Sequence, residues 1–189
     1  PPRDTVRVTF ADGSILEGAL NTPLGAFLSL YAAEQTPPLQ DLMGGIVDGR
    51  LRELAYPLTR DVTIEPICLS DSDGGRIYRR TLVLLMSVAL DELFPATKVT
   101  VRYAIPEGGY YCTLSNRLPL TSDELTALDD KMHQMVATDH IITKRSATLE
   151  EAIKQFKAHG DEDKVRLLEQ RTRNGLTLYG LLGREDYFF

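Results

Sequence analysis

Small or polar side chains alternate with apolar ones at the start of the chain. Thr5-Val6-Arg7-Val8-Thr9-Phe10 reads as a strand, and Asp12-Gly13 behind it is a two-residue turn signal. A hairpin is predicted, with its second strand over residues 14–20. Asn21-Thr22-Pro23 supplies a cap residue and a proline at the first helical position, and Leu24, Phe27, Leu28 and Tyr31 recur at helical spacing. Pro37-Pro38 stops that helix. Short strands follow over 45–47 and 50–54, joined by Asp48-Gly49, and a last one over 62–67. Strand, strand, helix, then short strands returning to the sheet is the order of a β-grasp.

Residues 70–75, Ser-Asp-Ser-Asp-Gly-Gly, hold no apolar side chain and read as a loop, so the chain divides into a unit over 1–70, a linker over 71–75 and a second unit over 76–189. From Arg76 the pattern becomes a helix carrying Ile77, Leu82, Leu84, Leu85, Val88, Ala89 and Leu93, ending before Pro95. Residues 98–105 and 110–114 alternate as two strands around Glu107-Gly108-Gly109. Thr121 with Glu124 three residues later makes a capping box for a helix whose stripe is Leu125, Leu128, Met132, Met135 and Val136. Another helix begins after Thr148 and closes at Gly160, a C-cap glycine, and a shorter one covers 163–170. The apolar, aromatic end, closing on Tyr187-Phe188-Phe189, is expected to be a strand that has been cut. Both units are α+β.

Composition narrows the function classes. Across 189 residues, 43% are hydrophobic and 25% charged, ordinary for globular domains. The longest apolar run, residues 82–90, is too short to cross a bilayer, which needs about 20 residues. No secretory signal is legible, and with only Cys68 and Cys112 the expectation is a cytoplasmic protein with reduced thiols. A net charge of -6 excludes a general DNA or other nucleic-acid binder. The charge is unevenly spread: residues 76–117 hold six Lys or Arg against three acids, while residues 1–70 hold five against nine.

That basic segment contains the main candidate site. Arg76, Arg79 and Arg80 lie at i, i+3 and i, i+4 spacings, and such a cluster can clamp a phosphate or carboxylate. Their positive charge sits at a helix start, against the dipole, which favours an acidic partner. His133, His140 and His159 are scattered, without the clustering a metal needs. Cys112 in a strand reads as a buried small hydrophobe, with no histidine near it to activate it.

The first unit resembles a TGS domain, the β-grasp module at the start of threonyl-tRNA synthetases, through residues 10–14 (Phe-Ala-Asp-Gly-Ser) and 57–64 (Pro-Leu-Thr-Arg-Asp-Val-Thr-Ile). The second resembles the editing domain that follows it there, through Leu93-Phe94-Pro95, Gly109-Tyr110-Tyr111, Lys131-Met132-His133 and residues 156–165. The resemblance implies an editing chemistry built on two histidines four apart on a helix and a later cysteine. These positions hold Arg80, Leu84 and Phe188 in this chain, whereas Lys164 and Asp186 fall where the family has a lysine and an aspartate. With Ile77-Tyr78-Arg79-Arg80 and the Tyr187-Phe188-Phe189 end, the pattern looks like the N-terminal half of bacterial nucleoside (uridine) kinases of the phosphoribulokinase/uridine kinase type. That likeness implies a non-catalytic binding or regulatory region with no cofactor of its own. ATP and Mg would belong to a P-loop kinase domain absent from this chain, which holds no Gly-x-x-x-x-Gly-Lys-Ser/Thr segment. The expected partner is then that kinase domain, with Lys164 joining the three arginines as an anion-binding candidate. A nucleotide or RNA ligand and a homo-oligomer stay open. Two alternatives stand beside this reading: an aminoacyl-tRNA deacylase using other residues, and a structural or dimerisation module.

Overall fold

The computed structural model describes residues 4–95, 97–106 and 108–187. The chain forms two compact units that divide between Arg79 and Arg80.

In the first unit, β1 (Thr5–Phe10) pairs antiparallel with β2 (Ile15–Ala19). Gly13 takes the left-handed conformation the turn requires, at φ 85°, and the Asp12 carboxylate accepts from both the backbone N–H and the hydroxyl of Ser14. The α1 helix (Leu24–Glu34) crosses the sheet, followed by β3 (Leu42–Val47), β4 (Arg50–Arg52) and β5 (Val62–Cys68). The sheet order is β2-β1-β5-β3-β4, with β1 and β5 parallel in the middle, which is the β-grasp. Val6, Val8 and Phe10 point inward from β1 onto Leu24, Phe27 and Leu28, and Phe10 stacks on Tyr31 with centroids 3.9 Å apart.

Two local expectations need correction. Pro23 is the N-cap, one residue before the first helical position, and no side chain caps α1. The segment before β5 does that work: the N–H groups of Leu24 and Gly25 donate to the carbonyls of Tyr56 and Leu54, both at 2.8 Å. The linker over 71–75 is mostly helix, because α2 (Ser72–Leu93) starts inside it. Asp71 anchors that start, its carboxylate accepting from the Cys68 N–H at 2.7 Å and its carbonyl from the Gly75 N–H at 2.9 Å. A Cβ at Gly74 would collide with the Cys68 carbonyl, so this glycine marks close packing rather than slack.

In the second unit, the later part of α2 supplies Leu84, Leu85, Val88, Ala89 and Leu90 to a core shared with α3 (Ser122–Ala137). Strands β6 (Val99–Ala104) and β7 (Tyr110–Leu114) form a two-stranded ribbon. The Thr121–Glu124 capping box is present at the start of α3. Its buried stripe is narrower than expected: Leu128 and Met135 are buried, while Leu125 and Val136, on one edge of that line, are 52% and 63% exposed.

A second core lies between a three-stranded sheet and two helices. The sheet runs β10-β9-β8, with β8 (Thr143–Thr148), β9 (Gly175–Leu181) and β10 (Arg184–Asp186) all antiparallel. The helices are α4 (Leu149–His159) and α5 (Glu162–Glu169). Phe156 and Leu168 from the helices meet Leu176 and Leu178 from β9 in this core. Strand β8 has no sequence signal, since Ala147 is its one buried residue. Leu182 and Gly183 both have positive φ, a two-residue turn that folds β10 back on β9. Of the expected cut strand closing on Tyr187-Phe188-Phe189, Tyr187 follows the end of β10 and is not in a strand, and Phe188 and Phe189 lie outside the described residues.

Candidate functional site

A groove of about 520 Å³ runs along the second unit. Its first wall comes from α2, where Arg80, Val83 and Ser87 share a face at i, i+3 and i+7. A second wall is the edge of the ribbon, from Lys98 to Val101, with Tyr110 beside it. The third is the start of α5, from Asp161 to Lys164, together with Asp186 and Tyr187 at the end of β10.

The third wall is positioned by a helix end. Gly160 at φ 72° is the left-handed C-cap of α4, with its N–H and that of Asp161 closing onto the Lys157 and Phe156 carbonyls. The chain therefore reverses at once, and Lys164 comes up on the first turn of α5. Its Nζ lies 2.6 Å from Asp186 Oδ2 and 5.3 Å from the centroid of the Phe156 ring. Asp186 is buried, and its other oxygen accepts the Tyr187 N–H at 2.8 Å. Tyr187 packs against Phe156 at 5.5 Å between centroids, and burial pushes its hydroxyl pKa up to about 12. Buried Arg184 ties the walls together, pairing with Asp91 of α2 and reaching Asp161 at 3.8 Å.

The residues singled out from the sequence are distributed unevenly over this site. Lys164 on α5 and Asp186 on β10, with the whole of β9 between them in sequence, form one ion pair. Arg80 lines the groove, but Leu84, one turn on, is only 1% exposed and belongs to the core. Phe188 lies outside the described residues. The three arginines do not converge on one point. Arg76 pairs with Asp73 on its own helix, and Arg76 and Arg79 line a shallow hollow of the first unit with Ser70 and Ser72.

Among the described residues no group of three His, Cys, Asp or Glu side chains could hold a metal ion. His133 and His159 bond through Nδ1 to the carbonyls four residues back on their own helices, at 3.0 and 3.3 Å. His140 is exposed. Burial pushes the Cys112 thiol pKa up, the opposite of what activates a nucleophile. Sequence reading missed Arg184, Asp91 and Asp161, because a charged residue at a strand or helix end looks solvated until its partner is placed beside it.

Fold and groove together define the class. A TGS-like β-grasp unit precedes an α+β domain that resembles the editing domain of threonyl-tRNA synthetases. The curated proteins similar to the chain agree with this. A threonine–tRNA ligase of Xanthomonas euvesicatoria pv. vesicatoria is 30% identical over 145 residues, 77% of this chain and 23% of the ligase. That of Symbiobacterium thermophilum is 31% identical over 166 residues, 87% of the chain and 25% of the ligase. One from Desulforamulus reducens is 26% identical over 163 residues, 86% and 25% respectively. The chain thus spans about a quarter of the length of these relatives. No protein-family model matches it. No helix among the described residues is long and apolar enough to cross a membrane.

Proposed function

We propose that the chain is a binding region of a larger enzyme, built on the threonyl-tRNA editing fold but without its hydrolytic centre. One observation carries this reading: Arg80 lines the groove where the resemblance places one histidine, and Leu84, at the place of the other, is a core side chain. Hydrolysis of an ester needs a group that activates water or attacks the carbonyl. Asp186 already accepts from Lys164 and from the Tyr187 N–H, and the Cys112 thiol is held protonated by burial. The test is hydrolysis of Ser-tRNA and Thr-tRNA charged on tRNA(Thr). No release above the uncatalysed rate is expected, and turnover abolished by Lys164→Ala or Asp186→Ala would overturn the proposal.

The second reading is an aminoacyl-tRNA editing domain that uses Lys164 and Asp186. Two observations favour it: the similarity to threonine–tRNA ligases and the survival of this ion pair on the groove wall. The same assay decides it.

The parent enzyme is a separate question. Similarity to the ligases supports a synthetase-type parent. The nucleoside kinase, bringing ATP and Mg in its own domain, rests on the resemblance at Ile77-Tyr78-Arg79-Arg80 and at the Tyr187-Phe188-Phe189 end. Reading the gene past Phe189 separates them: a P-loop supports the kinase and a ligase catalytic domain the synthetase.

A further inference from the structure

Four places in the chain put an aspartate or asparagine directly before a glycine: Asp12-Gly13, Asp48-Gly49, Asp73-Gly74 and Asn174-Gly175. In each, the glycine nitrogen could attack the preceding side-chain carbonyl, because glycine has no Cβ to shield it. At three of them the fold holds the side chain. Asp12 accepts from the Ser14 N–H and hydroxyl at 2.9 and 2.7 Å and from the Tyr31 hydroxyl at 3.1 Å. Asp48 accepts from the Thr63 N–H at 3.0 Å and meets Arg60 at 2.6 Å. Asp73 pairs with Arg76 inside the first turn of α2, where Gly74 is buried.

Asn174 differs. It is exposed, as is Gly175, and among the described residues no hydrogen bond reaches its side-chain amide. The Gly175 nitrogen is open too. The Leu149 N–H donates to the Asn174 carbonyl at 3.0 Å, which makes Thr148 and Gly175 a non-hydrogen-bonded pair of the β8–β9 ladder, with both N–H groups turned outward. That of Thr148 goes to Glu151. On the outward side of Gly175 lies β10, which pairs only with residues 179–181 of β9.

We infer that Asn174-Gly175 is a site of spontaneous covalent modification, at which the Asn174 amide converts through a succinimide to aspartate and isoaspartate. The Gly175 nitrogen, its proton given to hydroxide, attacks Asn174 Cγ; the new C–N bond forms, the Cγ–Nδ2 bond breaks and ammonia leaves. Water then opens the ring at either carbonyl and the nitrogen regains a proton, so one amide and one water become one carboxylate and one ammonium ion. In the isoaspartyl product the chain runs through Cβ, and the carbonyl that accepted from Leu149 becomes a free carboxylate. The product therefore loosens the joint where β9 meets the end of β8 and the start of α4.

The test is to hold the folded protein at neutral and at mildly alkaline pH, cleave it with pepsin in acid and map the peptides by mass spectrometry with electron-transfer fragmentation. Asn174 should convert roughly tenfold or more faster than Asn21 and Asn116, which precede threonine and arginine, and faster still at the higher pH. In urea, isomerisation at the three aspartates should rise roughly tenfold or more over the folded protein as their carboxylates are released, whereas conversion at Asn174 should change by less than about threefold. Gly175→Val should slow the conversion roughly tenfold or more while keeping the fold, since a Cβ there meets nothing within 4 Å and Gly175 has no positive φ. The isoaspartyl form should unfold at lower urea than the Asn174→Asp variant, and equal midpoints would overturn the loosening of the joint. The inference fails if Asn174 converts no faster than Asn21 and Asn116, if urea speeds it as much as the aspartates, if Gly175→Val converts at the parent rate, or if aspartate forms without isoaspartate.

Discussion

Arg145 on β8 reaches across β9 to Glu185 on β10, its Nε donating to Oε1 at 2.7 Å and its Nη2 to Oε2 at 2.6 Å. The two outer strands of the sheet are thereby tied over the middle one. Both oxygens of the carboxylate face the guanidinium fork, the geometry in which such a pair is strongest.

This pair has a pH signature. The hydrogen bond from Arg145 holds the Glu185 carboxyl below its ordinary range. A depressed folded-state pKa contributes stability that is fully present above the unfolded value and is lost as pH falls through the folded one. Glu185→Gln should cost about 0.5–1 kcal/mol at neutral pH, a modest figure because Arg145 is 45% exposed. The variant should also lose less stability than the parent between pH 7 and pH 3. Urea midpoints at both pH values check this, and parallel acid losses in the two proteins would contradict it.

The Lys164–Asp186 pair should respond asymmetrically to removal of either partner. The Asp186 side chain is 7% exposed and that of Lys164 25%, so losing the lysine strands a buried carboxylate, whereas losing the acid leaves an amine that can reach water. Lys164→Met is expected to destabilise by about 2 kcal/mol and Asp186→Asn by about 1 kcal/mol. Denaturant unfolding of both variants measures the difference, and a larger cost for Asp186→Asn would reverse the assignment.

Neighbouring glycines at the start of α2 should behave in opposite ways. Gly74→Ala drives a methyl into the Cys68 carbonyl and should cost about 1–3 kcal/mol. At Gly75 the nearest atom to a new Cβ is 3.5 Å away, on the Arg79 side chain, so Gly75→Ala should be neutral or stabilise by up to about 1 kcal/mol through helix propensity. Thermal melts of the two variants give the comparison, and equal effects would mean that the close approach is not maintained.

Restoring the two histidines should not restore an editing centre. Leu84 is buried to 1%, so Leu84→His places an imidazole in an apolar core and is expected to cost about 2–5 kcal/mol. The double variant Arg80→His, Leu84→His should unfold at lower denaturant than Arg80→His alone and gain no Ser-tRNA hydrolysis. A stable, active double variant would show that position 84 can face the groove.

Much of the fold was legible, for physical reasons that differ by element. The β1–β2 hairpin announces itself through alternation and Asp12-Gly13, α3 through its capping box, and α4 through the Gly160 end. Strand β8 was silent because polar residues on a sheet face exposed to water carry no alternation. The 71–75 stretch misled because glycine serves both loops and close approaches, and only the Cys68 carbonyl reveals which applies at Gly74. At the site, Lys164 and Asp186 could be singled out by resemblance, but their pairing depends on the reversal at Gly160 and the turn at Leu182-Gly183. The arginines looked like one cluster along the helix, yet Asp73 holds Arg76 while Arg80 lines the groove.

Thr148 closes the pairing of β8 with β9 opposite Gly175 and, in the same residue, caps α4 through Glu151. Strand passes into helix with no intervening loop, so this joint has no tolerance for changes in length. An inserted residue would rotate α4 about its axis and displace Gly160, taking Lys164 out of register with Asp186. Insertions are expected to be tolerated best in the largely exposed stretches around 116–119 and 138–142, where the chain forms neither strand nor helix. Any library that grafts new recognition loops onto the scaffold should open it there and leave the 148/149 peptide intact.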